Sequence, residues 1–294
     1  MKFMFFTFGG QNRWEDVYNY QDWVIQKHIN TTSYRLLDPH NIRRHAGSFE
    51  QCRDLLMEYI KAYELDSLYD DSIILIPGYG FPKKSMLKLA ESLKSSLPVN
   101  VIIFNNAALQ ADLNYHANML TQFLKNINNN GKLFFITADT GGLILRRMIS
   151  NSNNYRNYNI HRILEINPLN SGSDLAELLE KWPAVSKFIG PMLKDITPKK
   201  IFSLAKLPRD IEHGILFCSL HWKAFFNRFL SRYDSFPISS RPSEESFAGT
   251  VKRFQQPLSQ PLENDEVIKL CETYITKGVF EEEKQEERQD KKSL

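Results

Sequence analysis

The run Leu133–Ile149 constrains this chain more than any other. Leu133-Phe134-Phe135-Ile136-Thr137-Ala138 is short, apolar and β-prone, which reads as a buried strand. Asp139-Thr140 follows, then Gly141-Gly142, then the helix-forming Leu143-Ile144-Leu145-Arg146-Arg147-Met148-Ile149. The segment therefore reads as strand, tight turn and helix, with Asp139 the single charged residue at the apex. The small residues beside the apex let strand and helix approach closely. Such a turn pushes one side chain out over the end of the sheet.

The same alternation recurs on both sides. Ile73–Ile76 reads as a strand ended by Pro77-Gly78-Tyr79-Gly80, and a helix runs from Met86 through Leu93. Val99–Phe104, Arg162–Ile166 and Gly214–Ser219 are further strands, with a helix over Ala117–Ile127 and a closing helix over Asp265–Thr276. Residues 173–205 read as helical, broken at Pro183, Pro191 and Pro198. Continuous apolar strands joined by helices imply an α/β protein with a mostly parallel sheet buried on both faces. Such sheets carry their sites at the C-terminal ends of the strands. That rule selects Pro77–Gly80, Ala138–Gly142, Asn167–Ser173 and Leu220–Asp234.

Upstream, Asp22–Ile29 and Ser33–Asp38 flank Asn30-Thr31-Thr32, which reads as strand, turn and returning strand. A helix is expected from Ser48, because Ser48 and Gln51 have capping-box spacing. Arg13-Trp14-Glu15-Asp16 and Arg43-Arg44 read as a solvated or domain-packing surface. The expected organisation is an N-terminal β-hairpin and helix extension over 1–66, an α/β domain over 67–280 and a charged tail over 281–294.

Composition narrows the function classes. The 294 residues are 42% hydrophobic and 24% charged, ordinary values for a globular chain. A net charge of +3, with no basic helix and no zinc spacing, points away from nucleic acid. Cys52, Cys218 and Cys271 are widely spaced and match neither a disulfide framework nor a metal site. They suit a reducing compartment, and Cys218, in an apolar run, reads as core. The patch Met1–Phe8 is too short for a signal-peptide core, and no stretch approaches the ~20 apolar residues of a membrane span. A cytoplasmic protein without transmembrane segment, cofactor or metal is expected.

At the four strand ends the chain resembles the α/β-hydrolase family, in particular its lipase-like and esterase-like members. Pro77-Gly78-Tyr79-Gly80 is similar to the family's His-Gly-X-Gly, and Thr137–Gly142 to its Gly-His-Ser-Met-Gly-Gly nucleophile elbow. Asn167-Pro168-Leu169-Asn170-Ser171-Gly172-Ser173 resembles its Pro-Pro-Asn-X-Gly-Ser, and Arg232–Ser239 its acid-bearing loop. Val267 to Phe280 resembles its last helix. The resemblance covers roughly residues 70–280 and implies an α/β-hydrolase fold with a helical cap over about 173–205.

Carried over residue by residue, the departures weigh more than the matches. In the family a serine attacks, a histidine takes its proton and an acid orients the histidine. The serine position here is Asp139 and the acid position is Asp234. The histidine position falls at Leu258-Ser259-Gln260, with Gln260 the best match, and no histidine follows His221. The oxyanion-hole positions are the backbone N–H groups of Thr140 and of the loop at Tyr79. A carboxylate at the apex can itself act as nucleophile, as in dehalogenases and epoxide hydrolases of this fold, but needs a histidine to release its ester. His221, after the strand ending at Ser219, is the one candidate for a relocated base. Asp139 also has a plain role as a turn residue at a helix N-terminus. His116 reads as structural. The expectation is a pseudo-hydrolase that holds an apolar or acyl ligand, or a protein partner, in the old cleft. The alternative is an active hydrolase using Asp139 and a relocated base.

Overall fold

The structure, a computed structural model, describes residues 13–65, 69–78, 83–106, 111–127, 131–151, 155–182, 190–220, 249–258 and 260–280, with the main chain only at 219–220 and 255–258. Six of the ten strands among the described residues form one sheet: β5 (Ser72–Ile76), β6 (Asn100–Ile103), β7 (Leu133–Ala138), β8 (Ile160–Ile166), β9 (Glu212–Leu220) and β10 (Thr250–Leu258). Their spatial order is β10-β9-β8-β7-β5-β6, and each neighbouring pair is parallel. Parallel neighbours need crossovers. These contain α2 (Leu87–Ser96), α3 (Leu113–Asn126), α4 (Gly141–Asn151), and the short α5 (Asp174–Glu180) and α6 (Pro198–Phe202).

Period-two alternation along the strands divides the core into two layers. Ile73, Leu75, Phe134, Ile136, Leu164 and Ile166 face one way, against α2 and the closing helix α7 (Asp265–Lys277). Ile74, Ile76, Phe135 and Ile163 face the other, against α3 and α4. Both faces of the sheet are therefore covered, which is why Ile73–Ile76 of β5 and Leu133–Ile136 of β7 read as unbroken apolar runs. Cys218 and Cys271 are buried in the first layer; burial pushes the Cys218 thiol up to about 12. Both are core fillers.

The N-terminal unit holds more than the expected hairpin. It is a four-stranded antiparallel sheet, β1 (Trp14–Tyr20), β2 (Trp23–His28), β3 (Tyr34–Leu37) and β4 (Arg43–Gly47), in that order. The expected strand-turn-strand is β2–β3. The outer strands escape a hydrophobicity reading because β1 carries Glu15, Asp16 and Asn19, while β4 carries Arg43, Arg44 and His45. Glu15 and Asp16 are buried, so this segment is a packing surface and not a solvated one. Helix α1 (Phe49–Ala62) begins at Ser48 with the full capping box to Gln51. Val17, Ile25, Leu36 and Leu56 of this unit belong to the same apolar layer as α3 and α4. Strand β10, rich in polar residues, was likewise not expected from the sequence. No helix among the described residues is long and apolar enough to cross a membrane.

Candidate functional site

The turn after β7 forms as the sequence reading expects. Asp139 sits between Ala138, the last strand residue, and the first turn of α4, with φ +52°. That left-handed backbone is uncommon outside glycine, although Asp and Asn tolerate it best. The Asp139 N–H donates to the Ile166 carbonyl at 3.0 Å, continuing the β7–β8 ladder one step into the turn. The Thr140 carbonyl then accepts from Leu143 N (3.0 Å) and Ile144 N (3.2 Å), so the helix starts at once. Asp139 is 4% exposed and Thr140 1%.

Two glycines make this geometry fit. A Cβ on Gly141 would lie well inside contact distance of the Ile76 carbonyl oxygen, so α4 begins directly over the end of β5. A Cβ on Gly78 would lie 2.7 Å from Thr140 N and 2.9 Å from Asp139 Cβ. The loop leaving β5 therefore backs onto the apex, and the structure brings these two predicted segments together. Asn106 steadies that loop by donating from Nδ2 to the Pro77 carbonyl at 3.1 Å.

The other predicted site residues are not all in view. Tyr79, His221 and Asp234 lie outside the described residues. Strand β9 ends at Leu220, the residue before His221. Gln260 is described and exposed, at the start of a 3-10 turn over Pro261–Glu263. Its side-chain amide donates to the Glu263 carboxylate, so it serves its own turn.

Beneath the apex lies a polar cluster that the sequence reading missed. Glu165 on β8 is paired in register with Thr137 on β7 and is 1% exposed. Its Oε2 accepts from Asn170 Nδ2 at 2.5 Å and lies 2.9 Å from Nε2 of buried His213 on β9. Its Oε1 faces the bare Cα of Gly142, and neither that oxygen nor Thr137 Oγ has a hydrogen-bond partner among the described residues. Burial pushes the Glu165 carboxyl up, but His213, Asn170 and the Arg146 charge together outweigh it and leave Glu165 below the usual carboxylate range. Arg146 on α4 donates to the carbonyls of Ala205 (2.6 Å), Leu204 (2.7 Å) and Ile201 (3.4 Å), tying the α6 end of the 173–205 segment to the helix behind the apex. The signal was present: Glu165 is the one acidic residue inside an apolar strand run.

The segment after β8 is also specific. Asn167 has φ +45°, and its side chain continues the sheet by accepting from Cys218 N (2.7 Å) and donating to Cys218 O (3.0 Å). Ser173 caps α5 by accepting from Ala176 N at 3.0 Å. His116 is buried, as expected of a structural residue, and its Nδ1 pairs with Glu15. No group of three or more His, Cys, Asp or Glu that could hold a metal occurs among the described residues.

No protein-family profile and no curated protein matches the chain. Solved structures do. The mature form of the Bacillus licheniformis lipase BlEst2 is similar over 72% of this chain and 91% of that one, at 14% identity and a TM-score of 0.50. Its propeptide form is similar over 63% of this chain and 46% of that one, at 13% identity and a TM-score of 0.50. Phospholipase PlaB from Legionella pneumophila matches 53% of this chain at 16% identity and a TM-score of 0.43, and the match spans 41% of PlaB. A parallel sheet in the order β10-β9-β8-β7-β5-β6, a left-handed apex after β7 and this likeness lead to one conclusion: the chain has the α/β-hydrolase fold.

Proposed function

We propose that this chain is a lipase/esterase-like scaffold that has lost its triad chemistry and holds an apolar or acyl ligand in the former cleft. One observation carries the reading. The apex keeps its left-handed backbone and its contact with the β5 loop, yet presents a carboxylate where the resembling family presents a serine. A serine nucleophile is absent at Asp139, and its carboxylate, whenever charged, repels an oxyanion developing at the Thr140 N–H. Gln260, at the histidine position, is an amide and not a base near neutral pH. In this reading the 173–205 segment covers the cleft, held in place by Arg146. A protein segment with an apolar side chain is the other occupant the cleft suits. The three free, buried cysteines fit a cytoplasmic setting.

The test is calorimetric titration with lauric acid. One-to-one binding is expected, weakened by a bulky substitution at Gly78, which lies against the apex. Absence of binding by any fatty acid from eight to eighteen carbons, or equal binding after that substitution, contradicts the ligand assignment.

A second reading has its own support. Strand β9 delivers the chain, at Leu220, to the C-terminal end of the sheet just before His221. If that imidazole reaches the apex, Asp139 attacks a saturated carbon, displaces a halide or opens an epoxide, and the resulting ester is hydrolysed by histidine-activated water. This version requires a covalent mass increase on Asp139 that accumulates in His221→Ala.

A further inference from the structure

The β6 edge of the main sheet is only partly used. Asn100 N–H donates to Asp71 O and Phe104 N–H to Leu75 O, so residues 100, 102 and 104 bond towards β5. The main chain of Val101, Ile103 and Asn105 therefore faces outward, as alternate residues of a ladder must. Asp16 of β1 satisfies Asn105 completely: its N–H donates to Asn105 O (3.1 Å), and its Oδ2 accepts from Asn105 N (2.9 Å). Beyond that point β1 diverges. Among the described residues nothing pairs with the main chain of Val101 or Ile103. Val101 is 5% exposed because its side chain packs in the layer against α2, while its outward N–H and C=O have nothing opposite among the described residues.

These groups open on a groove of about 430 Å³ between the two sheets. Val24 and Leu87 line its walls. Lys94, ion-paired to Asp22 at 2.5 Å, belongs to the end near Asn100. Lys83 belongs to the end near Asn105, close enough for its charge to act on Asp16. No carboxylate lies within ion-pair distance of Lys83 among the described residues.

We propose that this groove binds an extended peptide of another protein, which adds to β6 as a strand through Val101 and Ile103 and sets an acidic side chain against Lys83. The hydrogen-bond pattern chooses the chemistry. Donor and acceptor pairs on alternate residues of one edge match the backbone of an extended chain, and strand addition is an established way to read them. At ~3.3 Å per residue the open edge from Val101 to Ile103 takes roughly three residues. The acidic preference follows from charge complementarity at Lys83, which makes no ion pair among the described residues although its charge also acts on Asp16. The groove is separate from the apex at Asp139 and does not depend on the reading of that site.

The test selects displayed random octapeptides on the full chain, then titrates a synthesised binder against the unaltered protein, Ile103→Pro and Lys83→Glu. Ile103 N–H makes no bond to β5, so proline removes only the outward donor, a substitution edge strands accept. Selected peptides should carry an acidic residue, slow amide exchange at Val101 and Ile103, and bind Ile103→Pro at least tenfold more weakly with its unfolding midpoint kept. Lys83→Glu should weaken them comparably. Failure to select any peptide overturns the proposal. So does a binder that leaves both amides exchanging as before, or one that Lys83→Glu does not weaken. Should Ile103→Pro not fold, amide exchange in the unaltered protein and the Lys83→Glu titration decide.

Discussion

Two histidine–carboxylate pairs are buried among the described residues, and they sit in different surroundings. Glu15–His116 joins β1 to α3, where the N-terminal sheet packs on the main domain. Beside it Asp16 accepts from Gln26 (2.7 Å), and Arg35 donates to Gln26 Oε1 (2.6 and 2.9 Å) while lying over the Trp14 ring at 4.3 Å. Glu165–His213 lies inside the parallel sheet beneath the apex, with Asn170 and the Arg146 charge added. The carboxyl shifts run in opposite directions. Burial holds Asp16 above the usual range despite Lys83 and its hydrogen bonds, whereas the partners of Glu165 overcome burial. The first cluster fastens two units together. The second sets the shape of the sheet edge at the apex, because the β8 carboxylate, the bare Cα of Gly142 and the Arg146 clamp all converge behind Asp139.

The largest effect expected from breaking this contrast is at Glu165. Removing one member of a buried, charged cluster typically costs about 3–5 kcal/mol, since the partner charge stays behind. Glu165→Ala should lose that much by urea unfolding, and should loosen the 173–205 segment to limited proteolysis because Arg146 loses its counter-charge. Next is the apex itself. Gly141→Ala sets a methyl against the Ile76 carbonyl, a main-chain atom with little room to yield, and overpacking of this kind costs about 1–3 kcal/mol. The junction pair should behave differently. Glu15→Ala or His116→Ala alone leaves a buried polar group and should cost about 1–3 kcal/mol. The double replacement Glu15→Leu/His116→Leu should recover most of that in a double-mutant cycle. A double replacement as costly as the two singles summed would show that this pair too does more than fasten.

The smallest effect is in pH. Glu165 is depressed in the folded state, so its contribution is complete above its unfolded value and disappears as pH falls through the folded value. Asp16 is raised, so the stability linked to its proton is present below its unfolded value and lost as pH rises through the folded one. The stability gap between the wild type and Glu165→Gln should therefore narrow below about pH 4.3, the ordinary glutamate value. Urea midpoints from pH 7 to pH 3 read it directly. A gap that widens on acidification has the wrong sign for a depressed carboxyl.

The same contrast explains what the sequence could disclose. The parallel sheet was legible because its strands are buried on both faces, so Ile73–Ile76 and Leu133–Ile136 carry unmixed apolar runs and Ile163–Ile166 is broken only by Glu165. The apex was legible because Gly141 and Gly142 follow a lone acid. Strands β1 and β4 were not, because the polar side chains that β1 buries against partners such as Gln26 and His116 imitate a surface, and those of β4 are half-buried or exposed. For the Glu165 cluster the sequence offered only the lone acid in an apolar run. Its members come from β8, β9, α4 and the loop at Asn170, and no local pattern announces a contact that only the strand register creates. Gln260 was placed by its spacing to the last helix, and the structure shows its amide engaged with Glu263 in its own turn.

The central claim is that the apex keeps its geometry while its triad chemistry is gone. Product release measured from p-nitrophenyl butyrate, p-nitrophenyl laurate, 1-bromobutane and styrene oxide, with wild type and Asp139→Ala side by side, tests it most directly. The account predicts no release above the buffer rate for either protein. Turnover by the wild type that Asp139→Ala abolishes would contradict it.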